Sequence, residues 1–346
     1  QAIGEALLID STRHLNQVVE FDQVQRTVCV QPGMVLDQLN RYLKPHGLIY
    51  PVDVSTANRA TLGGMTGNNS CGARSIRYGN MVHNVRSVEA LLADGTRAHF
   101  KSVNGDQQDN PAYQNLVQQM LEMGKREAGE IGARFPDLLR RVGGYNIDEL
   151  INDQPNMGRL LVGSEGTLGF FQRIHLNLQP IPSEKVLGVC HFPTFYQAMD
   201  ATQHIVKLDP AAVELVDRTM IELARDIPIF APTVNRFVQG EPDALLLVEF
   251  AGDDRDKQLH SLGQLVELMG DLGFRDAVVQ ATDAEFQNAI WEVRKSGLNI
   301  MMSMKGDGKP VSFIEDCAVQ LEDLAEYTHR LTDIFHKHGT TGTFYA

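Results

Sequence analysis

The stretch PVDVSTANRATLGGMTGNNSCG (residues 51–72) most narrows what this chain can build. It carries few large side chains, so it has little to bury in a core of its own. Its glycines allow positive φ and close backbone approach, and its hydroxyls and amides offer donors and acceptors. Held by flanking elements, such a segment suits a loop wrapped around a pyrophosphate or a planar heterocycle. The same composition also fits a long irregular surface loop.

The chain around it is β-rich, with interspersed helices. Residues 6–9 and 27–30 read as strands, with Pro32-Gly33 as the turn after the second. Residues 34–46 form an amphipathic pattern, with Val35, Leu39, Tyr42 and Leu43 on one face and Gly47 at the C-cap. A strand at 85–92 ends in the turn Ala93-Asp94-Gly95-Thr96, and 104–110 reads as a polar surface loop. Helices follow at 113–135 and 136–141, then strands at 160–162 and 170–178. This is α+β patterning, not a regular βαβ wind. Pro180-Ile-Pro182 ends the last strand and marks a linker, giving domains 1–182 and 183–346.

The second part predicts strands at 186–192, 212–216, 244–250 and 310–317. Helices are expected at 195–207, 219–225 and 256–273, within 284–304, and at 321–338. That alternation suits an α+β sandwich of split-βαβ character.

Composition excludes several function classes. The balance of 31 basic and 44 acidic residues gives −13 without a basic run, so no nucleic-acid role is expected. Cys29, Cys71, Cys190 and Cys317 form no CxxC pair, so no zinc or iron–sulfur site is expected within the chain. A reducing, cytoplasmic compartment follows, with no transmembrane segment. Neither a Walker-type phosphate loop nor a G-x-G-x-x-G after a strand is present. In the nearest imitation, Gly306-Asp-Gly-Lys-Pro310, the proline prevents a helix from opening there. The start, Gln1-Ala-Ile-Gly, has neither methionine nor signal-peptide architecture and reads as the middle of a longer protein.

A second glycine-rich run, GSEGTLG (163–169), lies between two apolar segments; alone it reads as a turn. The ordered set TLGG (61–64), NSCG (69–72), RYG (77–79), VE (88–89), LADG (92–95), VGGYN (142–146) and LVGSEGTLG (161–169) resembles the FAD-binding domain of the vanillyl-alcohol-oxidase class. Within that class the chain is most similar to D-lactate, glycolate and D-2-hydroxyglutarate dehydrogenases.

The resemblance implies FAD bound in a two-subdomain domain, followed by a ferredoxin-like substrate domain. It assigns flavin or phosphate contacts to Pro51, Asp53, Gly63, Gly64, Asn69, Ser70, Gly72 and Tyr78, and to Gly163, Glu165, Gly166 and Phe171. Relatives often carry isoleucine where Phe171 stands. ELVD (214–217) and WEVR (291–294) match landmarks of the second domain. They imply that Arg294 pairs with a substrate carboxylate, a task suited to a planar fork of fixed charge. Lys309 is a second candidate anion contact.

The resemblance further implies a pyrophosphate loop before residue 1. It places a histidine-rich catalytic and metal-binding segment after Ala346, with iron–sulfur centres beyond. No catalytic residue is therefore assigned within the chain, and alone it is expected to be inactive. His83, His175, His336 and His338 read as surface or satisfied histidines, and Cys71 as a packing residue. The implied reaction is oxidation of a D-2-hydroxy acid, of glutaryl or lactate type, with an unspecified electron acceptor. A location at the periphery of the inner membrane fits that reading. The alternatives are a non-catalytic flavin- or nucleotide-binding fragment and a flavin reductase acting on cell-wall precursors.

Overall fold

The structure, a computed structural model, describes residues 9–103, 110–138, 140–303, 311, 314 and 317–344. The chain divides into two compact units, Gln1–Ile181 and Pro182–Ala346.

In chain order the first unit contains β1 (Val18–Asp22), β2 (Thr27–Val30), α1 (Leu36–Leu43), β3 (Leu48–Ile49) and α2 (Leu62–Asn68). Next come α3 (Ser75–Tyr78), α4 (Met81–Asn84), β4 (Val85–Leu91), β5 (Arg97–Phe100) and α5 (Pro111–Arg134). The unit closes with α6 (Met157–Leu161), β6 (Phe170–Asn177) and β7 (Gln179–Pro180). Five strands form one antiparallel sheet in the order β1-β2-β6-β4-β5, while β3 pairs with β7. Period-2 alternation decides the faces. Val28 and Val30 of β2, Ile174 and Leu176 of β6, and Ala98 and Phe100 of β5 enter the core, with Leu36, Leu39 and Leu43 of α1. Each such aliphatic side chain contributes about 1.5–3 kcal/mol by leaving water.

The second unit holds β8 (Glu184–Phe192), α7 (Phe195–Ile205), β9 (Ala212–Asp217), α8 (Arg218–Arg225), α9 (Ala231–Phe237) and β10 (Ala244–Gly252). It continues through α10 (Arg255–Asp271), β11 (Val278–Ala281), α11 (Ala284–Lys295), α12 (Gly297–Met302) and α13 (Leu324–Lys337). Its four-stranded sheet runs β11-β8-β10-β9, with every neighbouring pair antiparallel. Val186, Cys190 and Phe192 of β8, and Leu246, Val248 and Phe250 of β10, meet residues of α7 and α10 in one core. The intervening residues of β8 and β10 are buried as well, so both faces of these strands are covered.

Several expectations change. Residues 51–72 are not all loop, because Leu62–Asn68 is helical. Thr61 caps it by accepting from Gly64 N at 3.2 Å, and Leu62, Met65 and Thr66 share its buried side. Residues 160–162 are not a strand: Leu160 and Leu161 end α6, whose Asn156 cap accepts from Gly158 N at 2.9 Å. A short apolar run cannot distinguish the two by periodicity. No described residue of 136–141 is helical; Pro136 disfavours helical geometry at Phe135, where α5 stops. Most of the strand expected at 310–317, and nearly all of that at 6–9, lie outside the described residues. Among the described residues, no helix is long and apolar enough to cross a membrane.

Candidate functional site

The two glycine-rich segments meet through their backbones. Gly163 N donates to Thr66 O and Glu165 N donates to Gly67 O, both at 2.9 Å. Those carbonyls belong to the last turn of α2, where a helix leaves its acceptors unpaired. The second loop thus caps α2, and it must turn sharply to do so. Gly163 and Gly166 have φ of 80° and 77°, and Glu165 itself sits at 50°. A Cβ on Gly163 would lie 3.0 Å from Gly144 O and 3.4 Å from Asn69 Cβ.

Three buried polar side chains surround this junction. Asn69, the left-handed C-cap of α2 with φ of 51°, accepts from Val82 N through Oδ1 at 3.0 Å. Asn146 donates through Nδ2 to Val162 O at 2.8 Å. Ser164 follows Gly163 directly and is 1% exposed. Asn69 Nδ2, Asn146 Oδ1 and Ser164 Oγ have no hydrogen-bond partner among the described residues. Each such group costs about 1–3 kcal/mol if left unsatisfied. A donor and two acceptor-capable groups therefore stand together, held by a rigid backbone junction.

The first loop closes on itself nearby in sequence. Asp53 accepts from Arg74 N at 3.0 Å and pairs with the Arg74 guanidinium at 2.5 Å. Burial pushes the Asp53 carboxyl up, against the lowering effect of Arg74. A Cβ on Gly72 would lie 2.3 Å from Asp53 O, and one on Gly63 would lie 2.6 Å from Pro32 Cβ. Both glycines are therefore needed for close passage of two backbones.

The structure brings Asn69, Gly163 and Glu165 together at the α2 terminus. Ser70 is buried beside Asn69; its hydroxyl accepts from Asn68 Nδ2 at 3.1 Å and its carbonyl from Met81 N at 3.0 Å. Asp53 and Gly72 touch each other, Gly63 lies within α2 against Pro32, and Gly64 and Gly166 are exposed. Pro51 is buried, while Tyr78 is half-buried and its carbonyl accepts from Asn84 Nδ2 at 2.8 Å. Phe171 lies on β6 opposite Ala90, with its ring in the core of the first unit. His83 accepts from Asn80 N at 3.0 Å, and its pKa is held low by burial and by Arg159 and Arg141. His175 lies on β6, across the sheet from Ser87 and Cys29. Asn146 and Ser164 were not singled out from sequence, although both lie inside the quoted motifs. A buried amide or hydroxyl beside a positive-φ glycine is the signal that would have found them.

In the second unit, Arg294 on α11 is buried and ion-paired with Glu214 on β9. Trp291, one turn earlier, donates to the buried Glu249 at 3.0 Å. Asp217 caps α8 by accepting from Met220 N at 2.9 Å, and burial raises its pKa. Lys309 lies outside the described residues.

Comparison with known proteins bears on the family. The model described as "FAD linked oxidases, C-terminal domain" matches residues 181–346, and that described as "FAD binding domain" matches residues 1–101. The chain thus matches two FAD-linked oxidase family domains, one in each of its parts. Its cofactor is FAD, and the buried, unpartnered Asn69, Asn146 and Ser164 groups fit a ligand rich in polar atoms.

A D-2-hydroxyglutarate dehydrogenase of Pantoea ananatis is 32% identical across 98% of this chain, which spans 35% of that relative. A probable mitochondrial D-lactate dehydrogenase of Danio rerio is 29% identical, covering 87% of this chain and 50% of its own. Glycolate oxidase subunit GlcD of Bacillus subtilis is 27% identical over 94% of this chain and 58% of its own. The chain thus spans about a third of the dehydrogenase it matches in Pantoea. Among solved structures, an alkyldihydroxyacetonephosphate synthase shares the fold with a TM-score of 0.56 and 17% identity, over 84% of this chain and 45% of that one.

Proposed function

We propose that this chain is the flavin-binding and carboxylate-contacting part of an enzyme that oxidises a D-2-hydroxy acid, of hydroxyglutarate or lactate type, to the 2-keto acid. The observation that carries this reading is the backbone junction between α2 and residues 163–165, surrounded by buried polar groups that have no partner among the described residues. Asn69, Asn146 and Ser164 hold the cofactor's polar atoms, and Gly63, Gly72 and Gly163 keep the backbone close. FAD held there would supply a two-electron acceptor for oxidation at C2, and a base would be needed for the hydroxyl proton.

Arg294 orients the substrate carboxylate, and Glu214 holds the guanidinium in place. The relatives' names support the hydroxy-acid class. The second unit is proposed to be ferredoxin-like. The order β11-β8-β10-β9 with α7 and α10 as crossovers supports this, being two split βαβ units interleaved.

The test is a flavin spectrum and FAD titration on the full-length protein, followed by reduction of the bound flavin with D-2-hydroxyglutarate, D-lactate and their L-enantiomers. Flavin bleaching by a D-enantiomer alone supports the proposal. Full-length protein that takes up no FAD, or FAD-loaded protein bleached by no 2-hydroxy acid, sinks it.

A further inference from the structure

The outward face of the five-stranded sheet carries a second polar cluster, which the flavin reading does not use. Glu89 on β4, His99 on β5 and His175 on β6 each present a ligand atom, and these atoms lie within 4.8 Å of one another. The strands themselves set the arrangement: Glu89 stands opposite His99 in the β4–β5 ladder, and β6 brings His175 in from the other side of β4. His175 Nε2 lies 3.3 Å from Glu89 Oε1, and the two imidazoles stack 4.9 Å apart. All three residues alternate with core positions, so the pleat holds them on one face.

We propose that Glu89, His99 and His175 form a binding site for a divalent transition-metal ion of the zinc type. Two imidazoles and a carboxylate are a donor set that suits such an ion, with a further position left for water or a small ligand. Tetrahedral ligation at bond lengths near 2.1 Å places ligand atoms roughly 3.4 Å apart. The present spacing therefore needs only small rotamer changes on a fixed backbone.

Supporting contacts are in place. Ser87 Oγ lies 2.7 Å from His99 Nε2, where it orients the ring as an outer-shell partner does. An open cleft lined by Glu20, Cys29, Arg86 and His175 reaches one of the three ligands. Arg173 Nη1 lies 3.6 Å from Glu89 with its side chain 44% exposed, so it can turn to solvent as the metal takes its place. Cys29 is left out of the ligand set: its Sγ is 3.6 Å from His175 but does not join the three atoms that lie within 4.8 Å of one another.

The experiment is calorimetric titration of the metal-free, full-length protein with Zn2+, beside His99→Gln, His175→Gln and the near-isosteric Glu89→Gln. Flavin content and circular dichroism are recorded for each as controls for folding. Each variant should weaken one Zn2+ site by more than about 100-fold, beyond the range of an outer-shell change, while flavin content stays at the parent level. Zn2+ affinity and stoichiometry unchanged in Glu89→Gln and in either folded histidine variant would overturn the proposal. So would a parent protein that takes up no Zn2+ sensitive to these residues.

Discussion

Replacing Gly163 by alanine tests the junction on which the flavin site rests, and Gly166→Ala is its internal control. Both glycines have left-handed φ, 80° and 77°, so both substitutions carry the left-handed penalty of about 1–2 kcal/mol. They differ in what the new methyl meets. At Gly166 nothing lies within 4 Å, whereas at Gly163 the Cβ stands 3.0 Å from Gly144 O and 3.4 Å from Asn69 Cβ. Relieving such overpacking costs typically about 1–3 kcal/mol more. The expected losses are then roughly 2–5 kcal/mol for Gly163→Ala and about 1–2 kcal/mol for Gly166→Ala. At about 2–4 °C per kcal/mol for a unit of this size, Gly163→Ala should lower Tm by on the order of 10 °C and Gly166→Ala by a few degrees.

The methyl also pushes Gly163 N off Thr66 O and displaces Asn69. Flavin affinity should therefore fall at least about tenfold, equivalent to losing ~1.4 kcal/mol of contact. Thermal unfolding of the apoprotein and quenching of FAD fluorescence on titration measure the two effects separately. Equal destabilisation by the two variants, or parent-like FAD affinity in Gly163→Ala, would refute the reasoning.

Three further outcomes are expected. Asn69→Ala leaves Val82 N without its 3.0 Å acceptor and puts a Cβ residue at φ of 51° without the compensating amide. It should lose about 2–4 kcal/mol in denaturant unfolding, and Asn69→Gly less, because glycine tolerates that φ. Arg294→Met leaves the Glu214 carboxylate, only 14% exposed, without its guanidinium, so unfolding should become easier by about 3–5 kcal/mol. The double variant with Glu214→Gln should recover most of that loss. His191 on β8 accepts from Gln239 N at 3.0 Å, and burial lowers its pKa below the ordinary 6.5. The unfolded chain therefore binds this proton first as pH falls. The stability His191 contributes is complete above about pH 6.5 and is lost below it, by at most about 1.4 kcal/mol per pH unit, until the folded pKa is reached. Denaturant midpoints measured from pH 7.5 to 5 should decline less steeply in His191→Asn than in the parent.

Periodicity alone located the long elements. The apolar runs of β8 and β10 and the helical patterns of α1, α5, α10 and α13 appear where they were expected, to within a few residues. Such elements bury whole faces, and the spacing of buried side chains is written directly in the sequence. Short elements were less legible. The helix over Leu62–Asn68 contains four glycine or asparagine residues in an apolar-poor run, and it forms because Thr61 caps it and residues 163–165 close its far end. That closing contact joins segments about a hundred residues apart, so no local signal contains it.

The site divides in the same way. The ordered glycine-rich motifs indicated a flavoprotein through their resemblance to a known family, whereas their composition alone fitted a surface loop equally well. Only the tertiary structure decided which of these residues bury a polar group without a partner among the described residues. It brought Asn146 and Ser164 to Asn69, placed the Phe171 ring in the core, and buried Arg294 against Glu214. It also gathered Glu89, His99 and His175 from three strands onto one face. The physical reason is that side-chain chemistry is local, whereas the satisfaction of a buried donor or acceptor depends on whichever distant backbone the fold packs beside it.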